Sequence, residues 1–377
     1  MAEELGAWAA GLLVDQAWDA HVECRYEEAV AAATRAVEAA EQLDDPVLLV
    51  RALSVEAVSL SARGNYPAAL TRETRILGLS RDPATRGRLD DPRVTEAVAR
   101  AHWEWVEYAR FTGGIPVREL FEVLDAAERW LVATGHRDWR AAILMQRALV
   151  HNELDEKEAA ITAAQEALAV RLQHPHAAGP SLASYRYILG DILHEAGRTA
   201  EAAPHYQAIL DDSATGPWSR RVAHKGLAWC ALDAGDLAAA RREARTAVLL
   251  AESLGDGALC TSLEALAAAC RAAGDLEAAW QAATRYLEAA GRIGGHYRPY
   301  EAVRTAADIA LDRGDLAATR RLLAELDEHA AALDVSAGTT TRTREAAQRH
   351  QRLTEQNQSH ASASASDHAS PSAKPSP

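Results

Sequence analysis

At 377 residues the chain is longer than a single compact core needs, so two domains or a repeat array are the expected organisations. Hydrophobic residues make up 48% of it and aromatics only 5%; alanine supplies much of the apolar fraction, which favours close-packed helices over strands. The net charge of −14 repels phosphate backbones and argues against direct nucleic-acid binding, the more so because the tail beyond Val335 is net basic and leaves the acidic excess in the body.

The N-terminus reads MAEELGAWAAGLLVDQAWDAH. Glu3 and Glu4 stand where a signal peptide carries basic residues, and Asp15 interrupts the apolar run. No stretch reaches the roughly 18 apolar residues of a membrane span. Cys24, Cys230, Cys260 and Cys270 lack the spacing of a disulfide framework and suit a reducing compartment, so a cytoplasmic location is expected, with no membrane partner.

Along the chain a helical hairpin recurs around a small turn residue. Its anchors are Cys24, Gly64, Gly113, Asp155, Gly197, Gly235, Gly274 and Gly314, spaced 40, 49, 42, 42, 38, 39 and 40 residues apart. In LGDILHEAGRTAEAAPHYQAIL, residues 189–210, the apolar positions Leu189, Leu193 and Ala196 precede Gly197, and Ala202, Tyr206 and Ile209 follow it at helical spacing. Five residues after the anchor a small residue returns in most copies (Ala29, Ala69, Ala160, Ala202, Ala240, Ala279). Seven before it stand Ala17, Ala57, Ala148, Gly190, Ala228, Ala267 and Ala307, where a large side chain would push crossing helices apart. The 49-residue step contains SRDPATRGRLDDPR, residues 80–93, expected as a loop.

This pattern resembles the tetratricopeptide repeat (TPR), in the longer variety of about 40 residues. The resemblance implies an all-α fold, a right-handed α-α superhelical solenoid of about eight hairpins. Its expected extent is residues 1–335, followed by a polar capping helix within 336–357 and a disordered Ser/Ala/Pro-rich tail over 358–377.

Signatures of chemistry are sparse. There is no GxxxxGK[ST] loop, and the glycines follow helices rather than strands. His194-Glu195 begins like HExxH, but Arg198 occupies the second histidine position. His174-Pro175-His176 reads as a solvated loop, and Cys260 and Cys270 as small core residues. No catalytic residue, cofactor or metal is expected, and the chain reads as non-enzymatic.

In the resembled family the first helix of each hairpin lines a concave groove, with exposed positions about 13, 10, 6 and 3 residues before the turn. Those slots here hold Trp18 and His21; Arg51, Ser54 and Ser61; Arg100, Trp103, Glu107 and Arg110; Met145 and Asn152; Tyr187, Asp191 and His194; Lys225 and Trp229; Glu264 and Arg271; Arg304 and Asp308. Trp, Tyr and Arg are enriched among the residues that dominate interface energetics, although the tryptophans would also serve as packing between long helices. The lysine–asparagine clamp some relatives use for a C-terminal carboxylate does not carry over: its slots hold Arg51, Ser54 and Val58, or Lys225 and Trp229. The expected partner is a protein or peptide segment bearing both charges, held by an adaptor or scaffold. The rival expectation is a ligand- or peptide-sensing regulator of a transcription factor or kinase, acting through another protein because the repeats begin near Leu5; a cryptic enzyme site between repeats is a third.

Overall fold

A computed structural model describes residues 2–89, 91–112, 115–135, 139–175, 179–293 and 297–336. Among them the chain is all helix, with seventeen α-helices and no strand. Sixteen form hairpins in chain order. These are α1 (Ala2–Val22) with α2 (Tyr26–Gln42), α3 (Pro46–Ala62) with α4 (Tyr66–Arg81), and, after the short α5 (Pro83–Arg86), α6 (Pro92–Thr112) with α7 (Val117–Thr134). There follow α8 (Arg140–Glu153) with α9 (Lys157–Gln173), α10 (Leu182–Glu195) with α11 (Thr199–Leu210), and α12 (Pro217–Asp233) with α13 (Leu237–Ala251). The last two are α14 (Asp256–Ala272) with α15 (Leu276–Ile293) and α16 (Tyr297–Asp312) with α17 (Leu316–Ser336).

The turn is written in two or three residues. Gly64, Gly197, Gly235, Gly274 and Gly314 have φ between 72° and 76°, the left-handed conformation that ends a helix, and Cys24 and Asp155 adopt it at 60° and 63°. The next residue folds its N–H back onto the first helix, as Asp236 does to the Ala231 carbonyl at 2.9 Å. In the Gly-Asp-Leu copies the aspartate also caps the second helix: Asp236, Asp275 and Asp315 accept from the backbone N–H three residues on, at 2.9, 3.2 and 3.0 Å.

The small-residue slots are the helix crossings. Ala29, Ala69, Ala160, Ala202, Ala240 and Ala279, and Ala17, Ala57, Ala148, Ala228, Ala267 and Ala307, are all 0% exposed. Neighbouring helices pack against each other from α1 to α4, across α4 and α6, α6 and α7, and from α11 to α17, and first helices also touch the next first helix, α1 on α3, α3 on α6, α12 on α14 and α14 on α16. Cys230, Cys260 and Cys270 are buried, Cys24 is exposed, and all four are free thiols.

Contacts group into two compact units, residues 1–152 with 156–185, and 153–155 with the chain from 186 onward. The first is built on Val14, Leu53, Val98, Leu124 and Ile143; the second on Leu263, Tyr286, Val303, Ile309 and Leu326 together with a layer of alanines around Ala228, Ala240 and Ala265.

One expectation needs correction. Residues 80–93 are not simply loop: α4 runs on to Arg81, Asp82 caps the short α5, and Leu89 is 1% exposed, pinning the insertion to the core. In the third hairpin four residues separate α6 from α7, against three in the others, and Arg118, five residues after Gly113, is exposed while Leu120 is buried. Gly113 itself, His176, the helix expected within 336–357 (beyond Ser336) and the 358–377 tail lie outside the described residues.

Candidate functional site

Four successive first helices of the second unit turn one stripe each toward a common groove of about 450 Å³. Helix α10 contributes Asp191, His194 and Glu195; α12 contributes Lys225 and Trp229; α14 contributes Glu264, Ala268 and Arg271; α16 contributes Arg304, Thr305, Asp308 and Ile309. The three- and four-residue spacing on each helix puts these side chains on one face. Of the residues the sequence reading proposed, Asp191, His194, Lys225, Trp229, Arg271, Arg304 and Asp308 are thus brought together, along with Glu264.

The groove is laced with ion pairs. Lys225 Nζ lies 3.2 Å from Asp191 Oδ2 and 5.7 Å above the Tyr187 ring, which meets Trp218 edge-on. Arg271 donates from Nε to Asp312 at 2.5 Å and sits 3.5 Å from Asp308. Arg304 faces three carboxylates, Glu301 at 2.8 Å, Asp308 at 3.5 Å and Glu264 at 3.9 Å. His194 Nε2 lies 3.0 Å from Asp233, and its ring is 6.5 Å from that of Trp229. Burial alone would lower the affinity of Lys225 and Arg304 for their protons, yet the neighbouring carboxylates, Asp191 for one and Glu301, Glu264 and Asp308 for the other, raise both.

Asp191 is fixed from behind. The buried Tyr206 hydroxyl donates to Asp191 Oδ1 at 2.5 Å. Its ring occupies a notch between Gly190 and Gly226, where an added Cβ would stand 2.9 and 2.3 Å from ring carbons. Tyr206 and Gly226 were not anticipated as part of the site, but the repeat frame carries a signal. Nine residues after the turn four other copies bury an alanine, Ala33, Ala164, Ala244 and Ala283, so a tyrosine in that slot demands space from both neighbours.

In the first unit the predicted residues form a different surface. The Arg100 guanidinium lies 5.1 Å over the half-buried Trp18 ring and bonds Ser54 Oγ. His21 Nδ1 is 3.1 Å from Ser59 Oγ; burial, then the Arg100 charge, lowers its pKa. Arg51 reaches Asp15 at 3.3 Å, and Arg110 donates to Gln146 at 3.1 Å. Trp103 packs toward Trp139 with its indole N–H buried, so it belongs to the wall as much as to the surface. Burial pushes the Glu107 carboxyl up to about 7, against the pull of Arg110 and with a further push from Glu104. Asn152 is 6% exposed and accepts from Lys157 at 3.3 Å, so it presents little to a ligand.

Behind Arg100 lie two carboxyls that sequence reasoning passed over. Glu73 is 0% and Glu104 5% exposed. Burial and mutual proximity raise Glu73 well above the carboxylate range; burial raises Glu104 while Arg100 pulls it down. Glu73 also fills the slot nine after the turn that holds alanine in four copies (Ala33, Ala164, Ala244 and Ala283), a sign of it in the sequence.

Among the described residues no helix is long and apolar enough to cross a membrane, and no group of three or more His, Cys, Asp or Glu is placed to hold a metal ion.

No protein-family model matches the sequence, and no curated protein matches it either. Solved structures match in fold. The apo form of RapI is 10% identical with a TM-score of 0.57, covering 93% of this chain and 97% of that one. A Rap protein complexed with Competence and Sporulation Factor is 14% identical at 0.56, covering 94% and 99%. The apo form of the quorum sensor NprR from B. thuringiensis is 13% identical at 0.52, covering 91% and 97%. At these identities the likeness is one of fold. Sequential hairpins, left-handed turn residues and alanine crossings at a period near forty make this chain a tetratricopeptide-like repeat protein.

Proposed function

We propose that the chain is a non-enzymatic binding protein that holds a segment of another polypeptide in the groove of its second unit. The observation that carries this reading is the convergence of four successive first helices on one open, charged groove with an aromatic wall at Trp229. Such a surface offers hydrogen-bonding and ionic partners along its length, which suits an extended chain.

The test is capture of a partner by the full chain, identified by mass spectrometry, followed by titration against Ala268→Trp. That substitution fills the groove floor without changing its charge. Binding lost at unchanged helicity supports the reading; undiminished binding refutes it.

A second reading, in which the bound segment is a signal and the chain a regulator of a further protein, is favoured by the fold shared with a Rap protein complexed with Competence and Sporulation Factor and with the quorum sensor NprR. A signal would raise the melting temperature by mass action and change the affinity for that further protein. An adaptor's cargo would do only the first.

A further inference from the structure

Resting on the groove reading above, we infer that the segment held there is cationic, with an arginine or lysine side chain lying on the Trp229 ring and met by the carboxylates of Glu264 and Asp308. The first argument is one of charge. At the α14–α16 end of the groove, Glu264 and Asp308 line it together with two guanidiniums, Arg271 and Arg304, and two further carboxylates reach the same guanidiniums, Glu301 to Arg304 and Asp312 to Arg271. The pair Lys225–Asp191 is self-balanced and contributes nothing to offset the excess. Four carboxylates thus stand against two guanidiniums at this end. The field is felt by the groove's own cations: Arg271, Arg304 and Lys225 all hold their protons more tightly than they would in water despite burial. An acidic ligand would be repelled, and a neutral one would leave the surplus uncompensated as water is excluded.

The second argument is the aromatic wall. Several aromatic rings of this protein already carry one of its own cations, as Trp18 carries Arg100, Tyr187 carries Lys225 and Trp218 carries Arg221. Among the described residues none lies over Trp229, although that ring lines the groove beside the carboxylates. An indole face next to a carboxylate surplus matches both halves of an arginine or lysine, its charged head and its apolar stem. Ala268 and Ile309 extend the apolar floor for the residue beside it.

The experiment is a selection of random twelve-residue peptides on phage against the full chain, each selected peptide then being synthesised and titrated. Peptides that lose binding to Ala268→Trp are groove ligands. These should carry at least one Arg or Lys, and their affinity should fall about tenfold with Glu264→Gln, with Trp229→Leu, and with the basic residue replaced by norleucine. Circular dichroism of each variant confirms the fold, and the norleucine peptide tests the charge with the protein untouched. Groove ligands without a basic residue, or ones indifferent to both Glu264→Gln and norleucine, overturn the charge inference and leave the groove reading standing. Peptides that all bind Ala268→Trp as tightly as the parent chain overturn the groove reading itself.

Discussion

Alanine at position 226 tests whether the two-glycine notch is what positions Asp191 in the groove. An alanine Cβ there would stand 2.3 Å from Cε1 and Cζ of Tyr206, well inside contact distance. The ring has little room to retreat, because a Cβ-sized atom on Gly190 would already be 2.9 Å from it and the hydroxyl is held by Asp191 at 2.5 Å. Overpacking of this kind costs about 1–3 kcal/mol. A ring displaced far enough to break its bond to the carboxylate forfeits about 1.5 kcal/mol or more in addition. Against this, alanine in a helix gains about 1 kcal/mol over glycine. The balance is a loss of about 2 kcal/mol for Gly226→Ala. In a Tyr206→Ala background the clash is gone and the same substitution should gain about 1 kcal/mol, giving a coupling of about 3 kcal/mol between the two sites. Urea unfolding followed by circular dichroism measures the sum, and amide exchange over α10–α13 localises it, since repeat arrays open in parts. A Gly226→Ala chain as stable as the parent, or effects that add without coupling, would refute the reasoning.

The remaining predictions concern charge and turns. Glu107 titrates near 7 in the folded chain against an ordinary 4.5, so the folded state binds the extra proton. Stability therefore falls as pH rises from about 4.5 to about 7, by at most about 3 kcal/mol, and Glu107→Gln should flatten that slope in a pH series of urea midpoints. Glu73→Gln removes a charge from a carboxyl pair that burial and mutual repulsion disfavour. It should stabilise the chain by about 1 kcal/mol at high pH and by less as the pH falls, because the raised Glu73 carboxyl takes up a proton more readily than a free one; an effect that does not change with pH would rule the pair out. Gly235→Ala, at φ 75°, should cost about 1 kcal/mol and Cys24→Gly, at φ 60°, should gain a smaller amount, both read as shifts in thermal unfolding. Asp236→Ala should cost about 1 kcal/mol by leaving the Ala239 N–H uncapped.

What was legible in the sequence is what sterics impose at fixed spacing. A crossing admits only a small residue and a helix stop needs a left-handed one, so Ala202, Ala228 and Gly197 announce themselves by recurrence. The groove stripe of the second unit follows from the same frame, because the left-handed glycines that end α10, α12, α14 and α16, Gly197, Gly235, Gly274 and Gly314, keep one register. In the first unit the frame slips: four residues rather than three separate α6 from α7, and Leu120 rather than Arg118 is buried. Asn152 and Trp103 meanwhile pack into walls at positions the frame marks as open. Glu73, Tyr206 and Gly226 were harder to read because their slots vary among the eight copies, and a variation looks like drift until its neighbours are known. Tyr206 shows why it is not drift. A tyrosine in an alanine slot is tolerable only if glycine stands on both helices it meets, and glycine inside a helix costs stability unless something fills the space. Gly190, Gly226 and Tyr206 therefore have to change together, and their combined effect is to hold one groove carboxylate, Asp191, in place for Lys225. A residue that breaks the repeat, Tyr206, thus sets the chemistry of the groove at its α10–α12 end.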